Sequence, residues 1–153
     1  MTQSIKTAND VLEFWFGEDC YAHPPTHLWF AGTAKIDEEI LEKFGTLHAR
    51  ATAGELDRWL DDPLSALALM VILDQFSRNL GRGSPDMFQH DAIALGIATK
   101  LLDQHFDRFS PSQISALALC LSHAEDTVQA CRAEQIMAKL TKDPQSRSLR
   151  KTL

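Results

Sequence analysis

Residues 67–85 read LALMVILDQFSRNLGRGSP, and the fold turns on this stretch. Ala66 to Leu73 is the longest uninterrupted apolar run in the chain; it gives way to Asp74, Gln75, Arg78 and Asn79, then to a loop with Arg82 between two glycines. The spacing predicts a helix that ends near Leu80. Residues three, four, seven or eleven apart share a helix face, so Leu67, Val71, Asp74 and Arg78 form one stripe and Ala68, Ile72, Gln75 and Asn79 the next. A third stripe, Leu69, Leu73, Phe76 and Leu80, stays apolar to the end. A helix that is apolar all round in its first half belongs in the middle of a protein, and the second half is expected to keep one apolar seam and turn the rest polar.

Asp74 then poses an electrostatic problem. An unpaired carboxylate on a buried stripe is strongly unfavourable, so a partner is required. Arg78, one turn on, can grip it with a planar fork, and Gln75 and Asn79 are expected to satisfy backbone carbonyls where the helix yields to Gly81-Arg82-Gly83. Two readings follow. Either these residues plug the helix end, or they line a cavity in which Arg78 or Arg82 receives an anionic group. The two glycines either admit a partner close to the backbone or simply make the turn.

Around this helix the punctuation is helical throughout. Thr7 and Asp10 open a short aromatic helix that Gly17 stops. From Thr33 to Thr52, Ile36, Ile40, Phe44, Leu47 and Ala51 recur at spacings of three and four, with the acidic run 37–43 read as a solvated face. Asp62 caps and Pro63 starts the central helix. Ser84 and Pro85 open another, with Phe88, Ala92, Leu95, Thr99 and Leu102 as its stripe, and Ser110 and Pro111 open a last one, broken near Ser122, that runs to Leu140. Strand signals are scarce. The expectation is an all-α fold of antiparallel helix pairs, with residues 1–142 as a single helical domain and 143–153 as a polar tail that frays.

Bulk properties exclude several functions. The 153 residues suffice for one real core. With 44% hydrophobic and 24% charged residues the chain is ordinary for a globular protein, and a net charge of −6 argues against nucleic acid as a partner. No stretch approaches the run of about 20 apolar residues that a membrane span needs, and the start lacks the pattern of a signal peptide. Cys20, Cys120 and Cys131 have no close spacing and read as reduced thiols of a cytoplasmic protein.

Several stretches resemble a known family: VLEFWFG at 11–17, Trp29-Phe30, ATAGELDRWLDDP at 51–63, LDQFSRNLGRGSPDMFQHDAIAL at 73–95 and SHAEDTVQ at 122–129. They look like the bacterial domain of unknown function 924. The resemblance implies a tetratricopeptide-like superhelix and no assigned activity. Its prominent residues fall here on Asp74, Gln75, Phe76, Arg78, Asn79, Arg82, Gly83, Pro85 and Asp91. The family's His-Ser-Glu late in the chain reads His123-Ala124-Glu125 here, so chemistry that needs that serine is closed to this protein.

The candidate site residues are therefore Asp74, Gln75, Arg78, Asn79, Arg82, Asp91, His123 and Glu125. No metal and no cofactor is expected, because His90 with Asp91, and His123 with Glu125, lie too close in sequence to converge on one ion from a helix. No nucleophile elbow is present, and Cys120 and Cys131 are read as small hydrophobes. The favoured reading is a binding module whose groove, floored by Arg78, Arg82 and Asn79, takes a peptide, a protein or a small anionic ligand. The alternative is an enzyme acting on a small anionic metabolite, with Asp74, His123 or Glu125 as acid or base; it requires Asp74 and His123 to meet at a common cavity. The aromatic set Phe14, Trp15, Phe16, Trp29, Phe30 and Trp59 is assigned to the core, with exposed parts of the aromatic N-terminal segment as the face of a homodimer, should one form.

Overall fold

Thr7 opens the first helix as its sequence implies. Its hydroxyl accepts from the Asp10 N–H, the Asp10 carboxylate accepts from the Thr7 N–H at 2.7 Å, and Gly17, at φ 80°, ends α1 (Ala8–Phe16). The computed structural model describes residues 4–17 and 34–142, and among these it contains six helices and no strand. Trp29, Phe30, Cys20, Thr33 and the tail 143–153 lie outside the described residues.

Helix α2 (Ala34–Thr52) buries Ile36, Ile40, Phe44, Leu47 and Ala51, the stripe its periodicity predicts. Asp62 caps the next helix through the Ser65 N–H, and Pro63 takes its first position. This central element, numbered α3 as a whole, runs as Pro63–Val71, widens into a π turn at Ile72–Phe76 and closes as Ser77–Leu80. The π turn departs from the uniform helix that the sequence suggests. All residues from Ala66 to Ser77 are buried, Asp74 and Gln75 included, as the central place expected of this helix requires.

Pro85–Phe88 is a separate 3₁₀ turn capped by Ser84, and α4 begins only at Asp91 (Asp91–Gln104). Of the expected stripe Phe88, Ala92, Leu95, Thr99 and Leu102 only Leu102 is buried; Leu95 and Thr99 are half-buried, and Phe88 and Ala92 are exposed. Because the helix starts six residues later, it buries Ala94, Ile97, Ala98, Leu101 and Leu102, while Phe88 stays exposed. Gly81 and Gly83 make the turn between: a Cβ on Gly81 would meet the Met87 backbone at 3.0 Å, and Gly83 sits at φ 83°. Ser110 and Gln113 form a reciprocal cap on α5 (Pro111–Ser122), and residues 123–126 lead into α6 (Thr127–Lys142). The break near Ser122 is where the sequence places it.

Helix α3 packs on α1, α2, α4 and α5, and α4, α5 and α6 pack in succession. Phe76 sits where α1, α2 and α3 meet, with ring centroids 5.1 Å from Phe44, 5.6 Å from Trp15 and 6.2 Å from Phe14. Trp15 and Phe16 are turned inward and buried, so these rings fill the core as the sequence assigns them. Cys120 is buried, whereas Cys131 is exposed and is not the small core hydrophobe that its helix pattern suggests. No helix among the described residues is long and apolar enough to cross a membrane.

Replacing Phe76 with Ala removes the ring shared by three helices. The expected loss is about 3–5 kcal/mol of unfolding free energy, read from urea denaturation with an unchanged slope.

Candidate functional site

The π turn positions Asp74. The residue is 0% exposed, and three donors from two places in the fold surround its carboxylate. Arg78 Nη1 donates to Oδ1 at 2.8 Å, Gln75 Nε2 donates to Oδ2, and His123 Nδ1, at the C-cap of α5, lies 3.0 Å from Oδ1 and 3.1 Å from Oδ2. Arg78 does more than hold Asp74. Its Nη1 and Nη2 grip Asp91 at 2.9 and 3.0 Å, so one guanidinium bridges two carboxylates and ties α3 to the first turn of α4. The Phe88 ring covers that guanidinium at 5.7 Å.

With Asp74 accepting from Arg78 and Gln75, His123 Nδ1 carries the hydrogen that it donates to the carboxylate. In the neutral ring Nε2 is then the acceptor, and it makes no hydrogen bond to any described residue. His123 also lines a cleft of about 470 Å³, together with Asp74, Phe88, Asp91, Leu95, Cys120, Glu125 and Asp126. Burial pushes the Cys120 thiol far up from its usual range, and the nearby Asp74 charge pushes it further, so Cys120 is a wall and no nucleophile. Glu125 forms no ion pair among the described residues, and Asp126 Oδ1 accepts from the Val128 N–H at the start of α6. Among the described residues no three His, Cys, Asp or Glu side chains converge as metal ligands.

The eight candidate residues thus divide in two. Asp74, Gln75, Arg78, Asp91, His123 and Glu125 gather at or behind the cleft. Asn79 and Arg82 do not join them: Asn79 Nδ2 donates to Asp37 at 2.9 Å, and Arg82 Nε and Nη2 donate to the same carboxylate at 2.7 and 3.1 Å. This corrects three expectations. Gln75 and Asn79 bond carboxylates instead of backbone carbonyls, because each faces an acid that needs a donor more. Arg78, Arg82 and Asn79 do not form one groove floor, because the turn carries Arg82 back onto α2. Asp37, in the run read as a solvated face, is a partner: the hydrogen bond from Arg82 holds its carboxyl below the usual carboxylate range.

Asp37, Phe88, Cys120 and Asp126 escape the sequence reading. Phe88 stands inside the stretch 73–95 and Asp126 inside SHAEDTVQ at 122–129, and those positions are the sequence signals that point to them.

The model of a family described as a bacterial protein of unknown function, DUF924, matches residues 11–152. A solved structure of a protein of unknown function from Agrobacterium tumefaciens is 31% identical with a TM-score of 0.76, over 95% of this chain and 79% of that one. No curated protein matches the chain.

Two substitutions separate the networks. Arg78→Ala leaves Asp74 buried with Gln75 and His123 alone, and is expected to cost about 3 kcal/mol, whereas Arg82→Ala, at an exposed pair, is expected to cost about 1 kcal/mol or less in the same denaturation experiment. For acid, the sign runs with Asp37: its carboxyl is lowered in the fold, so its stabilisation is full above the unfolded carboxylate range, about 3.9, and is lost as pH falls below it. The Asp37→Asn variant is therefore expected to lose less stability than the wild type between neutral and strongly acidic pH, as read from melting curves across that range.

Proposed function

The chain belongs to the bacterial family of unknown function DUF924, and on that premise we propose that the cleft beside Asp74 is the active site of an enzyme that moves a proton on a small molecule. His123 is the acid–base group, and Asp74 is the positioning residue that orients it. One observation carries this reading: His123 Nδ1 is held at 3.0 Å by a fully buried carboxylate, at the wall of a cleft of about 470 Å³. A carboxylate behind an imidazole selects one tautomer and one ring orientation, and it stabilises the imidazolium that forms when the far nitrogen takes a proton. Arg78 and Gln75 keep Asp74 in place as His123 gains and loses charge.

The charges around the cleft indicate what enters it. Asp74, Asp91, Glu125 and Asp126 surround it, and Arg78 is already engaged by two of them. A substrate bearing hydroxyl or ammonium donors meets free acceptors at Glu125 and at His123 Nε2; an anion meets repulsion. A module that captures an anion or an acidic peptide on Arg78 and Arg82 is the less supported reading, since carboxylates of the chain itself hold both guanidiniums. The proton transfer needs no hydroxyl at position 124, so the alanine there is no obstacle.

A thermal-shift screen of small metabolites tests the assignment. A ligand at 100 times its Kd stabilises by about 2.7 kcal/mol, which raises the Tm of a chain this size by roughly 5–10 °C. Hits are expected among uncharged polyols and amines, and His123→Asn, whose amide oxygen still offers an acceptor, is expected to weaken their binding far less than their conversion, which, followed by NMR, falls about 10²–10⁴-fold. Hits confined to anions, or conversion indifferent to His123→Asn and Asp74→Asn, would overturn the assignment.

A further inference from the structure

A second concavity of about 530 Å³ lies between the 3₁₀ turn Asp57–Asp61, the first turn of α3 and the outer face of α4. Its floor is apolar, with Leu60, Pro63, Ala66, Ile93, Ile97 and Leu101, and two of these stand open to solvent, Ile93 at 57% and Leu60 at 44%. Leu64 and Phe106, next in sequence to the lining residues Pro63 and His105, are exposed as well. We infer that this groove is the face on which two copies of the chain pair about a two-fold axis.

Charge and backbone select that occupant. Asp61 stands on the turn side of the groove and Lys100 on α4, and neither forms an ion pair with any described residue. One patch therefore carries an unmatched acid and an unmatched base beside an apolar floor. A two-fold axis sets Asp61 of each copy against Lys100 of the other, so the same surface satisfies both charges twice. Gly96 supplies an independent sign. It lies in the middle of α4 on the groove wall, where glycine weakens a helix, yet a Cβ built there meets no described residue within 4 Å. Nothing among the described residues calls for glycine at that position, whereas a second backbone approaching the groove does. The cleft at His123 uses Ala92 and Leu95 from another side of α4, so pairing leaves both clefts open.

Sedimentation equilibrium of the full chain, with circular dichroism as the check on folding, decides the matter. The wild type is expected at twice the 17.1 kDa chain mass. Gly96→Leu and Ile93→Asp are expected to sediment as monomers with helix content and melting retained, Gly96→Leu being the cleaner probe because its side chain has room in the isolated fold. Asp61→Lys and Lys100→Asp are each expected to weaken pairing about ten-fold, with the double variant regaining it. A wild type that remains monomeric at every concentration, or a dimer that survives Gly96→Leu, overturns the inference; so does a dimer indifferent to both charge reversals.

Discussion

A carboxylate buried this deeply has to be matched where it stands, and Asp74 imposes that requirement on everything around it. Twelve consecutive residues of α3, Ala66 to Ser77, are buried, and Asp74 is the only full charge among them. Leaving it unpaired would be strongly unfavourable. Arg78 supplies the counter-charge from the same helix, but a guanidinium offers more donors than one carboxylate can use, and the surplus reaches Asp91. His123 arrives from the end of α5. The neutralisation of one buried acid thus fastens the start of α4 and the end of α5 to the central helix.

The same requirement explains the character of the cleft. Side chains recruited to satisfy a buried charge come to its border from separate elements, and where their far atoms are not consumed they face the cavity. Arg78 is consumed, lying between two carboxylates and beneath the Phe88 ring. The imidazole is not, since Asp74 takes only one of its two nitrogens. A device that stabilises the fold and one that holds a base in a fixed orientation are here the same set of contacts. The second cluster, Asp37 with Asn79 and Arg82, ties α2 to the turn after α3 and contributes no free group to the cleft.

Much of the fold is legible from local chemistry. Thr7, Asp62, Ser84 and Ser110 act as caps because a side-chain oxygen next to an amide with no carbonyl partner is a problem solved within three residues. The stripe Ile36 to Ala51 is legible for the same reason, as helical periodicity dictates which side of α2 is apolar. The phase of α4 is not, because Ser84 and Pro85 signal a start equally well for a 3₁₀ turn and for a helix; what separates them is how the segment beyond packs. The π turn likewise has no signature in residues 72–76, where Asp74 and Gln75 face inward and Asp74 meets His123 from another element.

The sequence by itself determined an all-α protein of this family with a buried central helix, and it marked Asp74 and Arg78 as a pair, since spacing along one helix and the energetic penalty on a buried charge are both local matters. Only the tertiary structure decided that His123 completes the pair, that Asp91 shares the arginine, and that Asn79 and Arg82 belong to Asp37. Those partners lie 49, 13, 42 and 45 residues apart in the chain. At such separations helical periodicity carries no information, and which charge meets which is settled by how the helices pack.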